Sequence, residues 1–505
     1  MPNVASIIEE QSLLLKDEAA IIDATSQSQV SYGQLEDRVA SMSFQLRKEL
    51  NGLQDQKVAI LLPNSIDWIT AYYSILATGN VVVSLNQNWP GEIIKTILDK
   101  IDVCSVVTNT DYSKKISRKN EIINIDERDP LTTKQGLKIE EKQFSDIATI
   151  QFTSGTTNLP KAVALSHLNV IHNRKMGAFY SGMHPEDRIF CFLPFYHCYG
   201  QNFIFNASIF CGATLYLDNI KLSDVDSIFS KLKESKVTSF YGIPVVYDLL
   251  LSNPKRVKDD LKSIRYFLCG ADFLSSDTEK RWFDLTGKHL FQAYGKTELS
   301  PLHTSSQYHL WKPNSVGRAM KGCSNFILNL ETNKTESKPY QKGEVLTKGP
   351  NNAVGYLKDG EIVKCYDEDG FHHTNDTGYL DEQGYLYLIG RTDDMFIING
   401  ENIYPQEIEK IVKEMDSSLI TIAGSITLDN IKKVVLCLEI KSSYSHSYRQ
   451  KLEEGLSQIF SKKLPHYKIP KKYYWVNSFP RTSSGKVIRK QLLESIQNNA
   501  NNYEK

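Results

Sequence analysis

The stretch DIATIQFTSGTTNLPKAVALSH (Asp146 to His167) joins an apolar segment to a loop rich in hydroxyl groups. The apolar segment, Ile147 to Phe152, predicts a buried strand, and an apolar helix is predicted after the loop. A glycine-containing loop can turn its backbone N–H groups toward a phosphate, while hydroxyl groups and a lysine add donors and positive charge. The candidate phosphate ligands are Thr153, Ser154, Gly155, Thr156, Thr157 and Lys161.

This loop is not a Walker A sequence, because the pattern GxxxxGK[ST] is absent from it. Taken alone, the stretch also fits an ordinary polar turn between a strand and a helix. Its function therefore has to be inferred together with the segments around it.

Strand and helix patterns alternate on both sides of the loop. Apolar residues recur at helical spacing from Tyr32 onward, and the apolar runs Val58 to Pro63 and Val81 to Leu85 predict buried strands. Further apolar runs of the same kind occur at Thr238 to Pro244 and Ile264 to Gly270. Continuous apolar strands that alternate with helices favour parallel sheets covered by helices on both faces.

The residue pattern changes twice after the second region in which strand and helix patterns alternate. Glycines every few residues between short apolar runs predict an all-β segment, and a helix near Gln406 to Lys413 opens a compact second domain. We therefore predict an α/β protein with a large N-terminal domain, made of two parallel-sheet α/β subdomains and a small β-barrel-like subdomain, followed by a small α+β C-terminal domain. The predicted bounds are 1–180, 181–310 and 311–392 within an N-terminal domain of 1–392, and 394–505 for the C-terminal domain.

Composition excludes several classes of function. The 505 residues contain 59 Lys plus Arg and 59 Asp plus Glu, so the net charge is zero and gives no electrostatic argument for binding nucleic acid or an anionic membrane. The eight cysteines form no CxxC pair and no zinc-like spacing, which is typical of a reduced compartment. The N-terminus is not of the signal-peptide type, and no apolar run is long enough for a membrane span. We expect a cytoplasmic protein.

Six segments, in this order, resemble the signature motifs of the adenylate-forming superfamily, which includes acyl- and aryl-CoA ligases, peptide-synthetase adenylation domains and firefly luciferase. The family's loop reads TSGTTGxPKG, and here Asn158 and Ala162 replace two of its glycines. Asn tolerates a positive φ, whereas Ala does so only at a cost, so the loop geometry is expected to differ slightly. The other segments are LPFYHCYG (Leu193 to Gly200), FLCGADFLS (Phe267 to Ser275), FQAYGKTELSP (Phe291 to Pro301), the run from Phe371 to Glu409, and FPRTSSGKVIRK (Phe479 to Lys490).

The resemblance implies a nucleotide site for ATP. The loop after Phe152 would hold the β- and γ-phosphates, and Tyr294 would stack on adenine, against which Gly270 and Ala271 pack. Thr297 would donate a hydrogen bond to the α-phosphate, and Glu298 would hold Mg²⁺.

Further roles follow from the resemblance in the last third of the chain. Asp376, preceded by Asn375 where the family usually has Gly, would accept hydrogen bonds from the ribose hydroxyls, and Arg391 would reach the ribose or a phosphate. Asp393 would be the hinge of the mobile domain, and Gly400 would line the entry tunnel of the thiol donor. Lys486 would bridge the substrate carboxylate and the adenylate oxygens.

The acid-binding pocket is defined less sharply. His197 lies in the family's aromatic gate segment, where amino-acid-activating relatives tend to carry an Asp, so an α-amino acid substrate is disfavoured. A mixture of aromatic, small and apolar positions suits an aryl or a short- to medium-chain acyl group. The candidate pocket residues are Tyr196, His197, Tyr241, Gly242, Gly270, Gly295, Ser300, Pro301 and Leu302.

The sequence therefore predicts an AMP-forming acid–thiol ligase that activates a carboxylic acid with ATP and Mg²⁺, releases pyrophosphate and passes the acyl group to a pantetheine thiol. Coenzyme A is the expected acceptor, and the phosphopantetheine of a carrier protein is the alternative. A luciferase-like oxygenase and an inactive binding scaffold are the other interpretations. A fatty-acyl-AMP ligase with an inserted segment is disfavoured, because the run from Arg391 to Glu409 has no room for one. The acid and the oligomeric state stay open.

Overall fold

The stretch around the candidate phosphate loop forms a β-hairpin inside an eight-stranded sheet. Strand Ile147–Thr153 pairs antiparallel with strand Lys161–Ser166, with Thr153 opposite Lys161. The prediction of a helix directly after Lys161 is wrong: the helix begins only at His167. The reason is that a short apolar run such as Ala162 to Leu165 fits a buried strand and a buried helix equally well until its neighbours are known.

The computed structural model describes residues 2–116, 122–127, 136–153, 159–220, 224–306, 310–336, 338–398, 401–416, 419–428, 431–440, 444–481 and 487–498. They form two compact units. The first consists of residues 1–274, 278–325 and 347–373, and the second of 275–277, 326–346 and 374–505. The predicted domain bounds and the hinge at Asp393 stay predictions.

The eight-stranded sheet has the order β20-β19-β8-β7-β4-β3-β5-β6. Five neighbouring strands, β7 to β6 in that order, are parallel, and β8, β19 and β20 are antiparallel to their neighbours. The bounds are β3 Lys57–Leu61, β4 Val81–Ser84, β5 Ser105–Thr108, β6 Ile122–Asn124, β7 Ile147–Thr153, β8 Lys161–Ser166, β19 Gly355–Lys358 and β20 Glu361–Val363.

A nine-stranded sheet with the order β15-β14-β13-β12-β11-β9-β10-β1-β2 accompanies it in the first unit. Its six inner strands, β13 to β1 in that order, are parallel, and antiparallel strands complete both edges. The bounds are β1 Ala19–Asp23, β2 Ser28–Ser31, β9 Arg188–Cys191, β10 Thr214–Leu217, β11 Ser239–Gly242, β12 Tyr266–Cys269, β13 Leu290–Gly295, β14 Leu302–Ser305 and β15 Arg318–Ala319.

The segment from 311 to 392 supplies strands to three sheets. β15 joins the nine-stranded sheet and β19 and β20 join the eight-stranded sheet, while the others build a five-stranded sheet with the order β17-β16-β18-β21-β22. Closely spaced turns indicate short strands, but they do not say which sheet each strand joins. The bounds are β16 Ser324–Asn329, β17 Lys334–Glu336, β18 Gly343–Lys348, β21 His372–Leu380 and β22 Leu386–Arg391.

The last part of the chain forms two small sheets. β23 pairs antiparallel with β24, and a three-stranded sheet has the order β25-β26-β27. A core of aliphatic and aromatic side chains forms between the three-stranded sheet and the helices around it. The bounds are β23 Phe396–Ile398, β24 Glu401–Ile403, β25 Thr421–Leu428, β26 Ile431–Glu439 and β27 Lys472–Val476.

Side-chain caps fix where several helices begin. Ser166 accepts a hydrogen bond from the backbone N–H of Asn169, whose side chain accepts one from Ser166 N, so a complete capping box starts the helix after the hairpin. Ser31 does the same for the helix predicted from Tyr32. The helices are α1 Ser6–Leu15, α2 Tyr32–Glu49, α3 Ile66–Ala77, α4 Gly91–Lys100, α5 Thr110–Ser113, α6 His167–Ser181, α7 Asn206–Cys211, α8 Val225–Glu234, α9 Pro244–Leu251, α10 Pro254–Asp260, α11 Ser276–Thr286, α12 Pro405–Met415, α13 His446–Lys463 and α14 Arg489–Asn498. In the described part of the chain, none of these helices combines the length and the apolarity that crossing a bilayer requires.

His167, the first residue of α6, is buried as a neutral ring. Its side chain is 1% exposed, and its Nδ1 accepts a hydrogen bond of 3.0 Å from the backbone N–H of Val4. A backbone N–H can only donate, so Nδ1 has to be unprotonated. Burial, assisted by the charge of Lys142, lowers the pKa of His167 from 6.5 to about 4.

We expect this ring to make the fold sensitive to mild acid. Because the pKa is lower in the folded state, protonation favours unfolding, so the stabilisation is complete above pH 6.5 and is lost as pH falls toward about 4. The loss is on the order of 3 kcal/mol. His167→Asn keeps an acceptor near Nδ1 that does not titrate, so its thermal midpoint should fall less steeply over this pH range. Parallel midpoint curves for wild type and variant would contradict the assignment.

Candidate active site

Four neighbouring parallel strands of the nine-stranded sheet, β13, β12, β11 and β9, end at one edge of that sheet. In open α/β sheets, ligands bind outside the carboxyl ends of the strands. The structure therefore brings several of the predicted site residues to one edge, although they come from distant parts of the sequence. These are Tyr196, His197, Tyr241, Gly242, Gly270, Ala271, Tyr294, Gly295, Thr297 and Glu298.

The turn after β13 places two of the predicted nucleotide ligands. Thr297 and Glu298 lie in a short 3-10 helix, and each is only 7% exposed. The turn closes through a hydrogen bond of 2.9 Å from Lys296 N to Pro301 O. A Cβ on Gly295 would clash with Pro301 O, so glycine is required at the start of the turn.

Two buried asparagines donate hydrogen bonds to backbone carbonyl oxygens of this turn. Asn351 Nδ2 donates to the carbonyl oxygens of Leu299 and Leu302, at 3.1 and 2.9 Å. Asn173 Nδ2 donates to the same two carbonyls, at 3.3 and 2.8 Å. Ser300 has φ 72° and donates through its hydroxyl to Asn351 O at 2.8 Å. A backbone in the left-handed region and held by this many buried hydrogen bonds is a rigid support for its neighbours.

The carboxylate of Glu298 has a specific partner in the eight-stranded sheet. Tyr356, in β19, donates a hydrogen bond of 2.8 Å from Oη to Glu298 Oε1. Burial and the charge of Glu298 raise the pKa of Tyr356 well above its ordinary value, so the phenol stays a donor. Among the described residues only Oε1 of this carboxylate is hydrogen-bonded, which leaves Oε2 for another ligand.

Lys161 also contacts Tyr356. Its ammonium nitrogen is 5.2 Å from the centre of the Tyr356 ring, within range of a cation–π contact. The 3-10 turn that carries Glu298 also packs against β7 and β8. The base of the hairpin that bears the candidate phosphate loop is thus adjacent to the predicted metal ligand.

The residues present fit Mg²⁺ bound together with a phosphate. Within the described ranges, no three or more His, Cys, Asp or Glu side chains converge to cage a metal by themselves. Mg²⁺ in nucleotide enzymes is commonly held by one or two carboxylates plus substrate phosphates. The carboxylate of Glu298, with Oε1 bound by Tyr356 and with Lys161 over the ring of that tyrosine, has that chemistry.

Thr297 contacts the segment that follows β9. Its Oγ1 is 3.5 Å from Cys198 Sγ, and burial raises the pKa of Cys198 to about 12, so the thiol stays protonated. His197 is exposed, and its Nδ1 accepts a hydrogen bond of 3.4 Å from Tyr199 N. Tyr196 is half-buried, and burial raises its pKa. His197 is therefore exposed to solvent beside the strand-end edge.

The other predicted pocket and adenine residues differ in their exposure to solvent. Tyr241 is fully buried, with its ring 5.3 Å from that of Phe203 in an edge-on contact, so it is part of the aromatic core. Pro301 and Leu302 are buried as well. Ala271 is exposed and has φ 70°, a strained conformation for a residue with a Cβ.

In the second unit, the predicted ribose residues are neighbours. Asp376 and Arg391 are directly opposite each other on β21 and β22, and Arg391 Nε lies 3.9 Å from Asp376 Oδ1. Arg391 Nη2 also lies 3.4 Å from Asp393 Oδ2. Asn375 has φ 56°, which explains why a residue tolerant of the left-handed region stands where the family usually has glycine.

Some predicted residues fall outside the described part of the chain. Thr153 is described as the last residue of β7, but the rest of the loop is not. The residues concerned are Ser154, Gly155, Thr156, Thr157, Gly400 and Lys486.

Sequence reasoning missed the residues that support the site from a distance. Tyr356, Asn351 and Asn173 act on a turn that lies 49 or more residues away in the chain. No local pattern marks them, because a Tyr after a Gly or an Asn in a loop is common. Only the pairing of β19 with β8 brings Tyr356 to Glu298.

Comparison with known proteins agrees with this geometry. A long-chain-fatty-acid–CoA ligase of Bacillus subtilis (strain 168) is 29% identical over 501 residues, covering 89% of this chain and 88% of the relative. A 2-succinylbenzoate–CoA ligase of Bacillus cereus is 28% identical over 512 residues, covering 98% of this chain and 99% of the relative.

Solved structures share the fold over nearly the full length. ATP-bound MatB from Rhodopseudomonas palustris superposes with a TM-score of 0.84 at 25% identity, covering 98% of this chain and 99% of that one. The o-succinylbenzoate CoA synthetase of Bacillus subtilis, in complex with its acyl-adenylate OSB-AMP, gives a TM-score of 0.82 at 24% identity, covering 97% and 98%. The predicted fold class is confirmed.

The family model for AMP-binding enzymes matches residues 8–357. This match covers more than half of the chain and confirms the family resemblance inferred from the motifs. The chain belongs to the AMP-binding enzyme family.

Proposed function

We propose that this protein is an ATP-dependent acid–thiol ligase that forms an acyl-adenylate and then an acyl thioester of coenzyme A. The observation that carries the proposal is the Tyr356–Glu298 pair, with Lys161 and Thr297 beside it. A buried carboxylate with one free oxygen, next to a lysine and a threonine hydroxyl, suits a metal-bound triphosphate better than any neutral ligand.

The first step activates the carboxylate. A carboxylate is a poor electrophile, because resonance and its negative charge disfavour nucleophilic attack. Its oxygen attacks the α-phosphorus of ATP, the bond to the bridging oxygen of pyrophosphate breaks, and the acyl-adenylate forms. Negative charge on the transferring phosphoryl group has to be balanced by fixed donors and cations. We assign this role to Thr297 and Lys161, and the loop residues Ser154 to Thr157 and Lys486 complete the proposed set.

Mg²⁺, when bound at Glu298, would neutralise charge on the phosphate oxygens. The hydrogen bond from Tyr356 keeps the Glu298 carboxylate in one orientation, so the free oxygen is held in place before the metal arrives. We keep the predicted roles of Asp376 and Arg391 at the ribose and a phosphate. Tyr294, Gly270 and Ala271 keep their predicted roles at adenine. Asp393 stays the proposed hinge, and Gly400 stays the proposed lining of the thiol donor's tunnel.

The second step transfers the acyl group. A pantetheine thiolate attacks the acyl carbon of the adenylate, the bond to the phosphate oxygen breaks, and AMP leaves. The named CoA ligases among the relatives favour coenzyme A as the acceptor. Loading of a carrier protein is the second candidate, because both acceptors carry the same pantetheine arm. For the acid we keep the class of aryl and short- to medium-chain acyl groups.

Lys486→Ala tests the first step. Loss of a fixed cation at the transferring phosphoryl group should lower acid-dependent ATP–pyrophosphate exchange by about 10²- to 10³-fold. Lys490→Ala is the matched control, since this side chain is 86% exposed on α14 and pairs only with Glu494 in the described chain. Exchange unchanged in Lys486→Ala would show that this lysine is misassigned.

Tyr356→Phe tests the metal site. Without the hydrogen bond to Oε1 the Glu298 carboxylate is less well oriented, so the Mg²⁺ concentration for half-maximal exchange should rise by about 10-fold. Glu298→Gln should have a larger effect in the same direction. Tyr366→Phe, a tyrosine near Lys364 in the same stretch of chain, is the control. A rate loss in Tyr356→Phe that is equal at all Mg²⁺ concentrations would refute the orienting role.

The acceptor is tested by mass spectrometry of the thioester product. With the acid that supports exchange, we expect acyl-CoA and stoichiometric AMP when coenzyme A is supplied, because no carrier surface is then needed. Acyl transfer to a holo-carrier protein but not to coenzyme A would establish the second candidate instead.

A further inference from the structure

The segment that bears Lys486 is closed at its base by main-chain contacts. Arg481 and Val487, on either side of it, form an isolated antiparallel bridge, and Ile488 N donates a hydrogen bond of 2.8 Å to Pro480 O. Lys486 itself lies outside the described residues. Because the two arms of the segment are fixed to each other, the place of the lysine depends on what binds these arms to the rest of the second unit.

The incoming arm is bound by the carboxylate of Glu439, the last residue of β26. Its Oε1 accepts a hydrogen bond of 2.8 Å from Phe479 N, and its Oε2 accepts one of 2.6 Å from Arg481 Nη2. The side chain of Glu439 is only 14% exposed. These contacts attach the incoming arm to the three-stranded sheet.

The outgoing arm is bound through the guanidinium of Arg489, the first residue of α14. Its Nη1 and Nη2 donate to Glu409 Oε1 and Oε2, at 2.6 and 3.2 Å, and Nη1 also donates to Ala423 O at 2.6 Å. The side chains of Arg489 and Glu409 are 15% and 14% exposed. A planar guanidinium that binds both oxygens of a carboxylate is fixed in direction as well as in distance.

The same guanidinium reaches the residue after the proposed hinge. Arg489 Nε lies 3.4 Å from Asp394 Oδ2, and this oxygen also accepts a hydrogen bond of 2.9 Å from Gln406 Nε2. Asp394 directly follows Asp393 in the chain. Arg489 therefore joins three elements: the turn at the proposed hinge, α12, and the arm that begins just after Lys486.

We propose that Arg489 is a positioning residue for Lys486. Through Glu409 and Asp394 it fixes the segment that bears the lysine relative to α12 and to the proposed hinge. The proposal rests on the proposed function and refines it: adenylation needs this link, because the ammonium group has to be aimed at the reacting oxygens. Thiol transfer, to which no role of the lysine is assigned, does not need it. A long side chain on a loosened base is less often in the productive geometry.

The first test separates the two half-reactions in full-length Arg489→Met. Acid-dependent ATP–pyrophosphate exchange should fall by about 10²-fold, because a misplacement of about 1 Å at a reacting group can cost that much. Formation of the coenzyme A thioester from the supplied adenylate of the same acid should stay close to the wild-type rate. Equal losses in the two half-reactions would overturn the inference, since they would indicate general damage to this part of the protein.

The second test asks whether Arg489 acts through Lys486. In the double variant Lys486→Ala/Arg489→Met, exchange should be no lower than in Lys486→Ala alone, because positioning has no effect once the ammonium group is gone. Two independent contributions would instead multiply. A double variant whose loss is the product of the two single losses overturns the inference.

Lys468→Met is the control for the loss of a buried ion pair. Lys468 Nζ donates a hydrogen bond of 2.5 Å to Glu407 Oε2, its side chain is 13% exposed, and Glu407 lies on α12 as Glu409 does. This pair joins α12 to a different part of the chain, the 3-10 helix His466–Lys468. Exchange should therefore stay close to that of wild type. A loss as large as that in Arg489→Met would overturn the inference, because any buried pair on α12 would then have the same effect.

The comparison does not depend on a single variant. Leu492 and Ile496 of α14 are 2% and 0% exposed, so this helix stays packed by apolar contacts when the guanidinium is removed. If Arg489→Met does not fold, Arg489→Lys, which keeps the charge but cannot bind both carboxylate oxygens in the same way, is tested with the same expected and opposing results.

Failure of the inference and failure of the proposed function give different results. Normal exchange in Arg489→Met, with exchange lost in Lys486→Ala, overturns the inference while the ligase function stands. Normal exchange in Lys486→Ala overturns the role of that lysine and the inference with it. Folded wild type that shows no exchange with straight-chain acids from acetate to palmitate or with benzoate overturns the proposed function and the inference together.

Discussion

The hydrogen bond from Tyr356 to Glu298 is the interaction on which the arrangement of the candidate site depends. It joins β19 of the eight-stranded sheet to the turn that follows β13 of the nine-stranded sheet. A buried carboxylate is costly without partners, so its position is determined by the few groups that can satisfy it. Since Lys161 lies over the ring of the same tyrosine, the base of the candidate phosphate loop and the predicted metal ligand both contact one side chain.

The turn that carries Glu298 is rigid for a separate reason. The side-chain amides of Asn173 and Asn351 both donate to the carbonyl oxygens of Leu299 and Leu302. Carbonyl oxygens in an irregular turn lack the N–H partners that a sheet or a helix would supply. Here buried side-chain amides donate the hydrogen bonds instead. The carboxylate predicted to bind the metal is thus supported by polar groups from α6 and from the loop before β19. This support is what preorganisation requires of a site that stabilises charge.

The strand ends at the candidate site are closely packed. A Cβ on Gly270 would lie 3.2 Å from the ring of Tyr199, and a Cβ on Gly242 would lie 2.8 Å from the ring of Tyr247. Tyr199 also donates a hydrogen bond of 3.4 Å to Gly242 O. The missing side chains of the two glycines therefore make room for aromatic rings from elsewhere in the chain.

The sequence by itself determined the family, the strand–helix alternation and the identity of the charged and hydroxyl groups, because these depend on local periodicity and on motifs that occur in a fixed order. It did not determine that Lys161–Ser166 is a strand, since a short buried run has no period that separates the two structures. It also did not determine which sheets the strands between 311 and 392 join. The partners of Glu298 and the ring beside Gly270 were decided only by the tertiary structure, because the contacts link residues 58 and 71 positions apart, over which local sequence carries no signal.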